Sequence, residues 1–141
     1  MQSFRILIQT PTSSISQHLS THLRSWGYKI VGTATSYEQA CQMYLEQQPD
    51  LSLIDLPTGC PSEGVALAGF IKKQENSQPF IFLSKGPDRQ LIELIKETLP
   101  AGFITKPIHP ELLQASVILA LHKHASQHRF ASGIKLMEGE Y

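Results

Sequence analysis

Three side chains that can do chemistry follow directly on short apolar runs of this sequence. Asp55 ends the run LSLID, Ser84 ends the run FIFLS, and Lys106 follows the run FIT. An acyl phosphate on a carboxylate needs a cation and hydroxyl donors for its oxygens, and lysine and serine supply both. Each residue alone would be an ordinary polar strand end, but three consecutive strand ends of this kind predict one shared site.

The elements that must position these side chains alternate between apolar runs and helical patterns. Five strands are expected, at 4–8, 28–34, 51–54, 80–83 and 101–105. Helices are expected to begin near Thr12 or Ser13, at the Ser36 cap, near Val65, at Pro87 and at Pro110, with a loop over 56–64. Because the strands are apolar on both faces, they belong in a parallel sheet covered by helices on both sides.

Right-handed crossovers favour a doubly wound α/β fold of the flavodoxin-like type, with a five-stranded parallel sheet in the order 2-1-3-4-5. In that order the winding reverses between strands one and three, and ligands bind in the crevice at such a switch point. The crevice is therefore expected to hold Thr10 and Pro11 after the first strand and Asp55 after the third. Ser84 and Lys106 join them from the next two strands.

Length and composition indicate one ordinary globular domain. The chain has 141 residues with 12 basic and 12 acidic side chains, so no long-range field favours a nucleic acid or a membrane as partner. Cys41 and Cys60 have no metal-ligand spacing, and His18 and His22 are expected to be surface residues of a helix. The N-terminus lacks a signal-peptide pattern, which favours a cytoplasmic location.

The sequence resembles the receiver domains of bacterial two-component response regulators, which have the fold of the chemotaxis response regulator. The match runs from RILIQTPTSSISQHLSTHLRSWGY through DLSLIDL and continues through EGVALAGFIKK, PFIFLS and AGFITKPIHPELL. It covers about Phe4 to His124, and the serine strand end with the KP pair makes it specific. We expect a receiver-like domain over 1–124 and a helix extension with a tail or linker over 125–141.

The resemblance implies a role for each site residue. It makes Asp55 the phospho-acceptor, Ser84 the switch hydroxyl, Phe103 the aromatic switch position and Lys106 the phosphate-sensing lysine, with a cis bond to Pro107. The chain would then be a module of a two-component phosphorelay and not an enzyme. Its partner would be a histidine kinase or another signalling protein, and the face formed by the fourth helix, fifth strand and fifth helix would be its surface for a homodimer.

The loop after the first strand departs from the family. The family places two adjacent acids there, which bind Mg²⁺ together with the phospho-acceptor, whereas this chain has Thr10 and Pro11. Asp55 alone is a poor Mg²⁺ site, so we expect no cofactor and slow or absent phosphoryl transfer. Without competing acids, Asp55 and Lys106 are expected to form a persistent salt bridge. Lys85 stands where the family prefers a very small residue, and it either narrows entry or partly replaces the charge of the metal.

Three functions follow from these residues. The first is an atypical pseudo-receiver that signals by binding, either as a separate protein or as part of a longer chain. The second is a fully phosphorylatable response regulator that recruits its metal in another way. The third is a flavodoxin-like mononucleotide-binding protein that uses the TPTSS loop, but such loops normally need glycine, and Pro11 removes an amide donor. A phosphatase with Asp55 as nucleophile is disfavoured, because such enzymes need aspartates after the first strand.

Overall fold

Five strands and five helices alternate along the part of the chain that the computed structural model describes, residues 3–59, 61–86 and 88–124. Cys60, Pro87 and the predicted tail at 125–141 lie outside the described residues. The strands are β1 Arg5–Gln9, β2 Lys29–Ala34, β3 Leu51–Asp55, β4 Phe80–Ser84 and β5 Gly102–Thr105. The helices are α1 Ser13–Ser25, α2 Tyr37–Gln47, α3 Ser62–Lys72, α4 Arg89–Thr98 and α5, which covers 110–124 of the described residues.

The sheet is parallel throughout and has the strand order β2-β1-β3-β4-β5, which confirms the predicted topology. Its register aligns the strand ends, since Asp55 pairs with Leu83 and Ser84 pairs with Thr105. Neighbouring strands of a sheet lie about 4.8 Å apart. The polar residues that follow β1, β3, β4 and β5 therefore meet at one edge of the sheet.

Two apolar clusters hold the helices against the two faces of the sheet. Helices α1 and α5 cover one face, with Leu19 and Leu23 of α1 and Leu113 and Val117 of α5 fully buried against strand residues. Trp26 packs partly buried against the same cluster, as expected of a core residue. Helices α2, α3 and α4 cover the other face. Because both faces of the central strands are covered, β3 is buried along its whole length, up to and including Asp55.

Helices α1, α2 and α5 begin where the sequence predicts, and α3 begins earlier. Ser36 caps α2 as expected, accepting from the Gln39 amide at 3.2 Å. Helix α4 begins at Arg89 after the N-cap Asp88, whose carboxylate accepts from the Leu91 amide at 2.8 Å, and the predicted start at Pro87 lies outside the described residues. Helix α3 begins at Ser62, so the predicted loop over 56–64 is shorter than expected. None of the described helices is both long and apolar enough to span a membrane.

Candidate functional site

The centre of the site is a fully buried carboxylate. Asp55 ends β3 with an exposed fraction of 0%. Its Oδ2 accepts a hydrogen bond from the Thr10 hydroxyl at 2.6 Å, and its Oδ1 forms an ion pair with the Lys106 ammonium. A buried charge is tolerated when it is paired and hydrogen-bonded, and here each carboxylate oxygen has one such partner.

Thr10 is held so that its hydroxyl proton points at Asp55. Its backbone N–H donates to the Ala34 carbonyl at 2.9 Å and continues the β1–β2 ladder by one residue. Its Oγ1 accepts from the Thr12 amide at 3.1 Å, and only 2% of the residue is exposed. The Thr10 hydroxyl oxygen accepts from the Thr12 amide, and the hydroxyl proton is donated to the Asp55 carboxylate. The result is a short chain of hydrogen bonds from Thr12 through Thr10 to Asp55.

Lys106 reaches Asp55 from the far side of β4. Its backbone N–H donates to the Ser84 carbonyl at 2.8 Å, and its peptide bond to Pro107 is cis, as the resemblance implied. The Lys106 side chain is 17% exposed, so water screens the ion pair only partly. In the strand order β3-β4-β5 this contact crosses the end of β4, which places Ser84 between its two partners. The predicted salt bridge is therefore present.

The side chains of the other predicted site residues form no hydrogen bond with the Asp55–Lys106 pair within the described part of the chain. Ser84 is half-buried, and its hydroxyl makes no hydrogen bond to the described residues. Phe103 lies half-buried on β5 and packs against the cluster under α2, α3 and α4. Pro11 is exposed and brings no side-chain oxygen, and Lys85 is exposed beside Ser84. Of the predicted site residues, the structure thus brings Thr10 and Lys106 into contact with Asp55.

Two polar features of this edge were not expected from the sequence. The first is the direct hydrogen bond from Thr10 to Asp55, for which the signal was the predicted adjacency of β1 and β3. The second is Gln9, whose Oε1 is buried without a hydrogen-bond partner among the described residues. Gln9 ends β1 next to Thr10, and nothing in the residue pattern distinguished it from an ordinary strand end.

Comparison with known proteins points to one class. The chain is 28% identical over 120 residues to the chemotaxis protein CheY of Thermotoga maritima, covering 84% of this chain and 95% of that protein. It is 26% identical to the transcriptional regulatory protein PdtaR of Mycobacterium tuberculosis and spans 57% of that protein's length. It is similar in structure to the signal receiver domain of a modulated diguanylate cyclase from Desulfovibrio desulfuricans. That match has a TM-score of 0.80 and 25% identity, and it covers 89% of this chain and 99% of that one.

A doubly wound five-stranded sheet with an acid, a hydroxyl and a lysine at its carboxyl edge defines a flavodoxin-like receiver fold. The chain belongs to the response regulator receiver domain family, whose pattern matches residues 6–118, and hence to two-component signalling. The receiver assignment is favoured over the mononucleotide-binding alternative, because the family model matches residues 6–118, most of the chain.

Proposed function

We propose that this chain is a pseudo-receiver, a signalling module that acts through protein–protein contact and in which Mg²⁺-dependent phosphorylation at Asp55 is impaired or absent. The observation that carries the proposal is the engagement of both carboxylate oxygens by Thr10 and Lys106. Asp55 would be the phospho-acceptor in a member of this family that could bind the metal. In this chain the Asp55 carboxylate is instead bound by the side chains of Thr10 and Lys106.

The donors around Asp55 fit Mg²⁺ poorly. Mg²⁺ demands nearly octahedral oxygen coordination and usually takes one or two carboxylates. Here one carboxylate is present, and a metal ion would have to displace the Lys106 ammonium and the Thr10 proton to reach it. Pro11 offers only a backbone carbonyl, and the described part of the chain contains no group of three or more histidine, cysteine or acidic residues suited to a metal. We therefore propose that the site works without a metal cofactor.

Exposed apolar residues in and next to α4 and α5 support a role in binding a histidine kinase, another signalling protein or a second copy of the chain. Leu99, which follows α4, and Leu119 of α5 are each 68% exposed, and Ile92 and Leu112 are exposed as well. The neighbouring Val117 is buried and serves the core. Exposed apolar side chains grouped on one face are typical of protein interaction surfaces.

Incubation with acetyl phosphate and Mg²⁺, followed by intact-mass measurement, tests the proposal. Three chains are compared: the wild type, the Asp55→Asn variant, and the Thr10→Asp/Pro11→Asp variant that restores the acidic pair. We expect no stoichiometric phosphoryl adduct on the wild type and a clear adduct on the restored variant. Thermal unfolding of each variant confirms that it is folded.

Two outcomes contradict the proposal. A stoichiometric adduct on the wild type that disappears in Asp55→Asn shows that Asp55 is an active phospho-acceptor without the acidic pair. A folded restored variant that takes up no more phosphoryl group than the wild type shows that the replacement of the acids is not the cause. In that case Lys85, exposed beside Ser84, becomes the residue to vary.

A further inference from the structure

Three ring side chains lie in a row along one side of α1. The His18 and His22 ring centres are 4.7 Å apart, and the His22 and Trp26 ring centres are 5.7 Å apart. Residues four positions apart lie on the same side of a helix. The fully buried Leu19 and Leu23 hold α1 against the sheet and leave His18 exposed and His22 half-buried. The proposed function uses none of these rings.

The spacing of the two imidazole rings fits one shared metal ion. Two histidines four residues apart on a helix bind zinc in metalloproteases, because both imidazoles reach the same ion. A metal about 2.1 Å from one nitrogen of each ring lies about 3.2 Å from each ring centre. The 4.7 Å between the His18 and His22 ring centres then corresponds to a bond angle of about 95° at the metal. This angle lies between the right angle of octahedral coordination and the tetrahedral angle, so the two rings are already as close as one ion requires.

The surroundings of the two imidazoles favour such a site. Trp26 packs partly buried against the cluster under α1 and α5, and its contact with His22 restricts that ring. Within the described residues, neither imidazole takes part in an ion pair that would compete with a metal ion. Arg24 is two residues beyond His22 and therefore does not face it on the helix. Both rings can thus bind an ion without a neighbouring cation of α1 to repel it.

We propose that His18 and His22 form a binding site for one divalent transition-metal ion of the zinc, nickel or copper type. Imidazole nitrogen suits these ions, whereas Mg²⁺ and Ca²⁺ prefer oxygen ligands. With two ligands from the chain, the remaining coordination positions are filled by water. The site is separate from Asp55, because His22 lies nine residues beyond the start of α1, which is about 14 Å along a helix axis. The site therefore goes beyond the proposed function and gives the module a metal-responsive surface on α1.

Titration with Ni²⁺, followed by the fluorescence of Trp26, tests the site. Trp26 is the only tryptophan of the chain, and a Ni²⁺ ion bound at the neighbouring imidazoles should quench its emission. We expect saturable quenching with one Ni²⁺ per chain. An excess of Zn²⁺, which has a filled d shell and binds the same ligands, should reverse the quenching, and Mg²⁺ should not. His18→Gln keeps the contact of His22 with Trp26 and should weaken Ni²⁺ binding at least about tenfold, since loss of even a group that supports a metal ligand typically costs 10–100-fold.

Two matched variants separate the spacing of the histidines from their number. Gln17→His/His18→Gln exchanges two exposed neighbours, so the composition stays the same and one imidazole moves to a position five residues from His22. Because only residues three or four apart are neighbours on a helix surface, this variant should bind Ni²⁺ as weakly as His18→Gln. His124→Gln removes a histidine of α5 that also has a second histidine four residues away in the sequence, and it should bind Ni²⁺ like the wild type.

Four results would overturn the metal site on α1. The first is the lack of a saturable response of Trp26 emission to Ni²⁺ in the wild type. The second is a Gln17→His/His18→Gln variant that binds Ni²⁺ as tightly as the wild type. The third is loss of binding in His124→Gln, which would place the ion on α5, and the fourth is competition by Mg²⁺ as strong as that by Zn²⁺, which would place it among oxygen ligands. Circular dichroism and thermal unfolding of each variant confirm that lost binding reflects the site and not the fold.

Discussion

The hydrogen bond from Thr10 to Asp55 predicts a measurable loss of stability in Thr10→Val, which replaces a hydroxyl by a methyl group of similar size. A hydrogen bond to a charged group contributes about 1.5–3 kcal/mol to folding. Burial of the added methyl group offsets about 1 kcal/mol of this loss. Because Thr10 is 2% exposed and Asp55 is fully buried, water cannot easily take the place of the hydroxyl. We expect the free energy of unfolding to fall by about 0.5–2 kcal/mol.

Urea denaturation followed by circular dichroism measures this change, and a thermal scan provides a second reading. For a domain of this size the expected loss corresponds to a decrease in Tm of about 2–8 °C. Thr33→Val on the edge strand β2 is the exposed control and should change stability by less than about 0.5 kcal/mol. Thr98→Val removes a buried neutral hydrogen bond to the Leu94 carbonyl and should cost less than Thr10→Val. A Thr10→Val variant as stable as Thr33→Val would refute the role assigned to this hydroxyl.

Three further predictions concern the core and the site. Lys106→Met leaves the Asp55 carboxylate buried without its cation and should cost about 3–5 kcal/mol in urea denaturation; a loss below about 1 kcal/mol contradicts the ion pair. Gly64→Ala places a Cβ 2.5 Å from Leu56 Cδ2, and this overpacking should cost about 1–3 kcal/mol, seen as a lower Tm. Burial raises the pKa of the Tyr44 phenol above its ordinary value. The unfolded chain therefore ionises first, near pH ~10, and stability falls from there up to the folded pKa. Urea midpoints measured across this range should fall less steeply for Tyr44→Phe.

The fold was predictable because each strand is apolar and short and each crossover is helical. Parallel pairing, right-handed crossovers and burial on both faces leave few arrangements, and the strand order 2-1-3-4-5 is the simplest of these. Helix boundaries were less certain, because several residues compete to cap one turn. Asp88 accepts from the Leu91 amide, and its carboxylate, rather than Pro87, sets the start of α4.

Of the two contacts of the Asp55 carboxylate, the sequence predicted the ion pair with Lys106 and not the hydrogen bond from Thr10. Asp55 and Lys106 had to approach each other because parallel strands bring their carboxyl ends to one edge, and the predicted ion pair is present. Which partner the second carboxylate oxygen takes depends on a side-chain rotamer and on the backbone of the loop that follows β1. The Thr12 amide orients the Thr10 hydroxyl, and that contact spans two residues of irregular backbone.

The charges at this edge suggest where the loss of the acidic pair matters most. In the family pattern three acids and one lysine have a formal charge of −2, which a bound Mg²⁺ ion neutralises, whereas Asp55 and Lys106 sum to zero without a metal. Conversion of Asp55 to an acyl phosphate that carries two negative charges would leave both sites at −1. The net charge of the phosphorylated site is therefore the same here as in a site that has the acids and the metal. Under the proposed function, the transfer step itself is slowed, because the carboxylate must leave two partners and would have no metal to stabilise the developing charge. We therefore expect phosphoryl transfer to Asp55 to be slow. Once the acyl phosphate has formed, we do not expect it to be unusually short-lived.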